Sequence, residues 1–412
     1  MRTLGKRVKG LYPFRGFESL PLRRFIKFNL YMDNRPIVSL AQAKSISKKH
    51  GVPIYIYKKG IIKRQYELLD SAIKYPNKTI YYSCKANSNP EVLRYLKRLG
   101  SSIETVSPGE IEKALKAGFR PDDVSFSCSS ISKEELISVA KKRVIVHLDS
   151  LKQLEWWGEE KLGREVSLRI NAGFGAGNHE HVITGGPDSK FGIYVSDISR
   201  AKKIAHNHNL VINGLQQHIG SNILDEKIFM KGAKLISGIA KEFPEAVRID
   251  VGGGLGIPYK SSQKPLDVKK MGSALTKLFR ELSRSFGKQI EMSLEPGRYL
   301  VAEAGGLLVK VVDIKRTPGH LFVGVNSGFN HMVRHAMYGS YNHVYNLSRP
   351  EAPRRRALVV GDICESADVL AEQSIPMPEI GDLLLFADIG AYGYSMASDY
   401  NSRPKPVEVV IP

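Results

Sequence analysis

The sequence predicts an α/β fold: a TIM-like (β/α)8 barrel with a C-terminal β-rich domain of barrel or sandwich type, completed by the N-terminal segment. Three observations predict it. Eight short apolar strands alternate with helical periods between residues 79 and 295. The stretch from 299 to 412 reads as strands with few helical periods. A chain of 412 residues is also too long for one small core, so two domains are expected.

The first strand lies near 79–84, where Ile80, Tyr82 and Cys84 alternate against Tyr81 and Ser83. PEVLRYLKRLG follows, with Val92, Leu96 and Leu99 on one helical face. SIETV (102–106) leads into GEIEKALKAGF, which repeats that face with Ile111 and Leu115 and stops at Gly118. DVSFS (123–127) is followed by KEELISVAKK, and VIVHL (144–148) by LKQLEWWGEEKL. The last four strands are VSLRI (166–170), INGLQQH (212–218), VRIDVG (247–252) and QIEMSLE (289–295). Strand–helix alternation implies parallel strands, and eight such units close a barrel. The spacing widens after strands five, six and seven, where a barrel carries its long loops. The barrel is expected over 47–298. Residues 299–412, with LLVKVVDIK, HLFVGVN, RALVVG, DLLLFAD and PVEVVI, form the β domain, and 1–46 is expected to join it.

Composition narrows the function. The net charge of +20 raises nucleic acid or an anionic surface as partners. The basic residues are spread along the chain, however, with Lys141-Lys142-Arg143 and Arg354-Arg355-Arg356 the only runs of three, and no nucleic-acid motif accompanies them. No apolar run approaches the roughly 20 residues of a membrane span. Neither nucleic acid nor membrane is expected as a partner. Cys84, Cys128 and Cys364 are odd in number and lack paired spacing, which argues against a disulfide framework or a metal site and suits the cytoplasm. The basic first 27 residues lack the apolar block of a secretion signal, and a transit peptide is the alternative.

In such barrels chemistry sits at the C-terminal ends of the strands. Those ends carry Lys85, Glu104, Arg169, His218, the triglycine Gly252-Gly253-Gly254, and Glu295 in EPGR. A lysine closing an apolar strand before the polar turn ANSN is either a solvated cap or a desolvated nucleophile of lowered pKa. A glycine run after a strand lets backbone N–H groups approach an anion, or is simply a turn. Together the lysine, histidine, carboxylate and glycines have one economical explanation, pyridoxal 5′-phosphate (PLP). The lysine would hold its aldehyde, the glycines its phosphate, and the carboxylate would keep its ring nitrogen protonated.

The ordered motifs YYSCKAN, ETVSPGE, RINAGFGAG with GGPDSKFGI, QQHIGSN, DVGGGLGIPY, EPGRYLVAEAG, VRHAMYGSY, CESADVLA and DIGAYGYSMASDYNSRPKP carry a resemblance. The chain resembles the barrel-type PLP-dependent decarboxylases, and among them the diaminopimelate decarboxylases. That resemblance implies that Lys85 binds the cofactor covalently and His218 stacks on its ring. It implies that Ser221, Gly254, Glu295, Gly297, Arg298 and Tyr392 hold phosphate or ring, with Glu104 and Arg169 at the same rim. It gives Cys364 the proton delivered to Cα, and Glu365 the substrate's distal amino group. Arg298, Arg334, Tyr338 and Tyr392 take the distal carboxylate side. It further implies a homodimer in which each Cys364-Glu365 segment reaches the other subunit's cofactor. The expected reaction is decarboxylation of meso-2,6-diaminopimelate to L-lysine and CO2, the last step of lysine biosynthesis. An acid with two arginines at the distal end suits a second amino-acid head, whereas ornithine or lysine needs only the acid. The alternative is a related decarboxylase acting on carboxynorspermidine, ornithine, arginine or a secondary-metabolite amino acid. Departures from the family pattern are SCSSIS at 127–132, Asn326-Ser327-Gly328, His335 after Arg334, and Ala367 in CESAD. A partner-binding relative without activity, or a nucleic-acid-binding protein, would lack a reason to keep Lys85, His218 and Cys364.

Overall fold

Two sheets divide the work of the chain, and both are laid out in a computed structural model that describes residues 35–171, 173–176, 185–186 and 188–412. The basic N-terminal stretch, most of the 1–46 segment, and residues 172, 177–184 and 187 of the RINAGFGAG–GGPDSKFGI region lie outside the described residues. The described chain enters through helix α1 (Leu40–His50), strand β1 (Ile54–Lys58) and helix α2 (Lys59–Ala72). The barrel strands follow: β2 (Lys78–Ser83), β3 (Ser102–Thr105), β4 (Val124–Ser127), β5 (Ile145–Leu148) and β6 (Glu165–Asn171). A two-residue strand β7 (Ile193–Tyr194) hangs on β6, and β8 (Val211–Gln216), β9 (Arg248–Asp250) and β10 (Glu291–Leu294) complete the set. All neighbours run parallel in the order β5-β4-β3-β2-β10-β9-β8-β6, and β5 pairs with β6 to close the circle.

Between these strands lie α3 (Pro90–Arg98), α4 (Pro108–Lys116), α5 (Lys133–Ala140), α6 (Leu151–Glu159), α7 (Ile198–Asn207), α8 (Glu226–Ile239) and α9 (Val268–Phe286). Their starts are written locally. Ser107, Ser132 and Ser150 accept from the backbone N–H of Glu110, Glu135 and Gln153, which satisfies donors that a helix leaves open. Each helix buries its apolar stripe on the barrel; α3 turns Val92, Leu93 and Leu96 inward. Burying each such side chain contributes about 1.5–3 kcal/mol, and Phe279→Ala in α9 should cost about 3–5 kcal/mol. After β10 the chain makes only one turn, α10 (Arg298–Val301), too short to cover the barrel. The preceding helix α2 packs on α9, α10 and α3 and takes the vacant place in the ring.

The second sheet contains β11 (Gly305–Arg316), β12 (Leu321–Val325), β13 (Val344–Asn346), β14 (Arg354–Val360), β15 (Val369–Pro376), β16 (Leu383–Phe386) and β17 (Val407–Ile411). A short helix, α11 (Arg334–Tyr338), sits between β12 and β13. The sheet runs β13-β16-β11-β12-β14-β15. Strand β1, inside the span expected for the barrel, belongs here: it pairs antiparallel with β11 and parallel with β17. Its residues Ile54 to Tyr57 are all buried, as befits a strand with partners on both edges and cover on both faces. Ile37, Val38 and Ala43 of the entering segment pack on Ile54, Ile56, Leu308 and Leu385 of this sheet. Among the described residues no helix is long and apolar enough to cross a membrane.

Candidate active site

The barrel strands aim their C-terminal ends at one cavity of about 210 Å³. Its wall includes Lys85, His218, Ser221, Gly254, Glu295, Gly297, Arg298, Arg334, Tyr338 and Tyr392, which is ten of the predicted residues. Ser83, Leu255 and Met396 complete the wall. The barrel supplies one side. Arg334, Tyr338, Tyr392 and Met396 come from the β domain of the same chain, and Tyr392 N–H donates to Ala86 O, tying that domain to the lysine turn at 2.8 Å.

Lys85 sits on the single turn that ends β2, and 35% of its side chain is accessible. Its Nζ lies 2.7 Å from Glu104 Oε2, which also accepts from Ser83 Oγ at 2.8 Å. Burial alone would lower the Lys85 ammonium, but Glu104, Tyr392 and Glu295 outweigh it and the net shift is upward. The lysine therefore rests as an ammonium with Glu104 as its proton acceptor, and is neither a solvated cap nor an amine of lowered pKa. Glu104 is buried behind Lys85 and does not line the cavity.

Across the cavity, Gln216 Nε2 donates to both oxygens of Glu295, at 3.1 and 3.0 Å. Burial, then Asp250 and Glu104, pushes the Glu295 carboxyl well above its ordinary range. Asp250 is raised for the same first reason, and its Oδ1 accepts from Gly252 N–H at 2.7 Å. His147 lies beside them, so that donor atoms of His147, Asp250 and Glu295 fall within 4.8 Å of one another. Burial, followed by the charges of Arg248 and Arg169, lowers His147 to about 3. The floor of the barrel is thus a neutral imidazole against two carboxyls that favour keeping protons. Arg169 lies in this lower layer: it pairs with Asp149 at 3.3 Å, stacks on Phe191, and does not line the cavity.

His218 has its Nδ1 fixed by the N–H of Gly253 at 3.3 Å. Burial, then Lys85 and Arg169, lowers its pKa well below the usual value, so the ring is neutral. The glycines are required by space. A Cβ on Gly253 would stand 2.1 Å from Glu295 O, and one on Gly254, at φ +98°, would stand 2.3 Å from Gly220 O. Ser221 Oγ accepts from Arg298 Nη2 at 3.0 Å. Arg298 Nε is buried and has no protein partner.

Besides Glu104 and Arg169, two predicted residues do not line this cavity. Cys364 and Glu365 are exposed on the β domain, held from behind by Asn401 Oδ1 on the Cys364 N–H (3.0 Å) and by the Tyr400 hydroxyl donating to Glu365 Oε1 (2.7 Å). The sequence reading missed Gln216, His147, Asp250 and Tyr259. Gln216 stands two residues before His218, and Asp250 stands two residues before the glycine run, so both carried a positional signal. His147 inside VIVHL and Tyr259 at the end of GIPY carried little.

A lysine and a buried carboxyl facing one slot, beside a glycine cradle and a buried guanidinium with a spare donor, fit PLP: aldehyde, ring nitrogen and phosphate each find a complementary group. The comparisons agree. Residues 59–302, more than half of the chain, match the family profile "Pyridoxal-dependent decarboxylase, pyridoxal binding domain". The chain belongs to the PLP-dependent decarboxylases of the barrel type. It is 39% identical to the diaminopimelate decarboxylase of Methanothermobacter thermautotrophicus over 386 residues, covering 91% of this chain and 90% of that one. It is 34% identical to that of Escherichia coli K12, covering 87% and 89%. A solved diaminopimelate decarboxylase superposes with a TM-score of 0.83 at 33% identity, covering 89% and 90%. The M. jannaschii enzyme, in complex with L-lysine, gives 0.81 at 31% identity, covering 90% and 89%. Within the decarboxylases, this chain belongs to the diaminopimelate decarboxylase family.

Proposed function

We infer that the chain is a PLP-dependent carboxy-lyase that converts meso-2,6-diaminopimelate to L-lysine and CO2, as the last step of lysine biosynthesis. The observation that carries this reading is the pairing of Lys85 and Glu295 with two arginines, Arg298 and Arg334, around one cavity. Bound PLP supplies the electron sink that accepts the Cα electron pair when CO2 departs. Lys85 would hold the cofactor, with Glu104 positioned to receive its proton. Glu295 would keep the ring nitrogen protonated, an arrangement supported by Gln216 pinning both its oxygens. His218, neutral and fixed by Gly253, would flank the ring. Ser221, Gly254, Gly297 and Tyr392 would take the phosphate end or border the ring. Arg298, Arg334 and Tyr338 would grip the substrate's distal carboxylate and so set the torsion about Cα.

Proton delivery to Cα and recognition of the distal amino group fall to Cys364 and Glu365. Both are exposed away from the cavity of their own chain, which supports a two-fold homodimer in which each segment completes the other subunit's site. Three unpaired cysteines support a cytoplasmic location. The test is CO2 release by the PLP-loaded protein from meso-diaminopimelate, L-lysine and L-ornithine. Preference for meso-diaminopimelate in kcat/KM by a factor of about 10⁴ is expected, because buried charged groups left unpaired reject the shorter analogues. Comparable values on ornithine would overturn the substrate assignment.

A further inference from the structure

Arg298 and Arg334 face one cavity, and two guanidinium groups brought together repel unless something lies between them. The phenol of Tyr259 lies there. Its oxygen accepts from Arg298 Nη1 at 2.6 Å and from Arg334 Nη1 at 3.3 Å. Both guanidinium carbons also stand 5.7 Å from the centre of its ring. Tyr392 closes the other side, with its ring centre 5.0 Å from the Arg298 carbon and 6.0 Å from that of Arg334. The two arginines are thus sandwiched between aromatic rings and joined through a single oxygen.

Tyr259 is itself held in place. It sits on the loop after β9, where Gln263 Oε1 accepts from the N–H of Tyr259 at 2.8 Å and of Lys260 at 3.0 Å. Two residues earlier, Ile257 N–H donates to Asn222 Oδ1 at 3.1 Å, which fastens the loop to the segment after β8. The ring of Tyr259 is half-buried and packs on the main hydrophobic core, which leaves its hydroxyl aimed at the two arginines. Meanwhile Arg298 spends Nη2 on Ser221, and its buried Nε keeps a donor that the protein does not satisfy.

We propose that the Tyr259 hydroxyl is the spacer that holds Arg298 and Arg334 together as one carboxylate clamp, and thereby sets the preference for substrates ending in a second carboxylate. This rests on the assignment of those arginines to the distal carboxylate. Tyr259 is a positioning residue: it acts through the arginines.

The experiment uses the PLP-loaded protein and its Tyr259→Phe variant, which keeps the ring and removes the acceptor. KM for meso-diaminopimelate should rise about tenfold with kcat within about twofold, the size expected for one hydrogen bond to charged groups. Calorimetric titration with pimelate, a dicarboxylate that cannot react, should show affinity weakened about tenfold. Titration with hexylamine, which carries no carboxylate, should show an equal constant for both proteins. A fall in kcat at constant KM, unchanged pimelate binding, or equal weakening of both ligands would overturn the proposal. Should Tyr259→Phe lose its bound cofactor, Gln263→Leu, which frees the loop and leaves the phenol, decides by the same selective loss of pimelate. If the wild-type protein binds pimelate through Tyr259 but does not turn over meso-diaminopimelate, the clamp stands and the substrate assignment falls.

Discussion

The cavity wall and the Cys364-Glu365 tip are both built of residues expected to do chemistry, yet they are made in opposite ways. In the cavity every key side chain is gripped from within the chain: Lys85 by Glu104, Glu295 by Gln216, His218 by Gly253, Arg298 by Ser221 and Tyr259. At the tip the grip is on the backbone, except at the Glu365 carboxylate. Asp368 accepts from the backbone N–H groups of Phe329 and Ile363, Asn401 and Tyr400 hold the next two residues, and the side chains of Cys364 and Glu365 face outward. The difference teaches that the cavity is preorganised by its own chain, whereas the proposed second half of the site stands on an exposed loop. An exposed loop stiffened in advance loses less freedom on docking, which suits the dimer proposed above.

The largest effect that would test the first half is at Lys85. Lys85→Ala should lower turnover by about 10³ or more and remove the visible absorbance of covalently held PLP, since no other lysine among the described residues lines the cavity. A variant that kept both would end the assignment of the lysine. The second half is sharpened by subunit mixing. Homodimers of Lys85→Ala and of Cys364→Ala should each be nearly inactive, whereas reassorted subunits should regain about a quarter of wild-type activity, because each mixed dimer holds one site with both defects and one with neither. A mixture that stays dead although subunits demonstrably exchange would place Cys364 with the cavity of its own chain.

The smallest effect concerns the floor beneath Glu295. His147 is held to about 3 by burial, against about 6.5 in an unfolded chain. Between those values the unfolded state takes up a proton that the folded state refuses, so wild-type stability falls as pH drops from about 6.5 towards about 3. His147→Gln lacks this loss. It should be less stable than wild type at pH 7, by about 1 kcal/mol for the lost bond to Ser167 Oγ, and the gap should close near about pH 5.8 and reverse by about pH 4.5. A gap that is constant or widens with acidity would show that His147 is not kept neutral.

How much of this was legible beforehand follows from what each feature depends on. All eight barrel strands were readable, because an apolar run bounded by turn residues is a local property. The lining residues were readable because strand ends are fixed once strands are. Membership of a sheet is not local: IYIYK at 54–58 reads equally as a barrel strand or a strand of the β domain, and only its pairing with β11 and β17 decides. Short strands β13 and β15 escaped for a related reason, since VYN is too brief to show a period and VLAEQSIP mixes polar residues into an exposed edge. The Lys85 pKa went the other way from simple desolvation because Glu104 on the next strand, Tyr392 in the β domain and Glu295 at the end of the last barrel strand converge on it, and sequence spacing gives no measure of a 2.7 Å contact. Tyr259 was invisible for the same cause: its role depends on two arginines contributed by different domains.

The parallel pairing of β1 with β17 also imposes an order on assembly. Tyr57 and Glu408, joined by a hydrogen bond across these strands, are 351 positions apart. During synthesis β1 emerges among the earliest strands and must wait for the whole barrel, then β11, then β17, before both its edges are covered. The barrel is an interruption of the β domain, and can mature while that domain is still incomplete. Loop closure over such a span is costly to begin and is made cheaper if the barrel folds first and brings the ends together. Slow maturation should therefore lie in the β domain, the part that carries Cys364 and Glu365, so that a nascent chain has its cofactor-holding half in place before those two residues are presented.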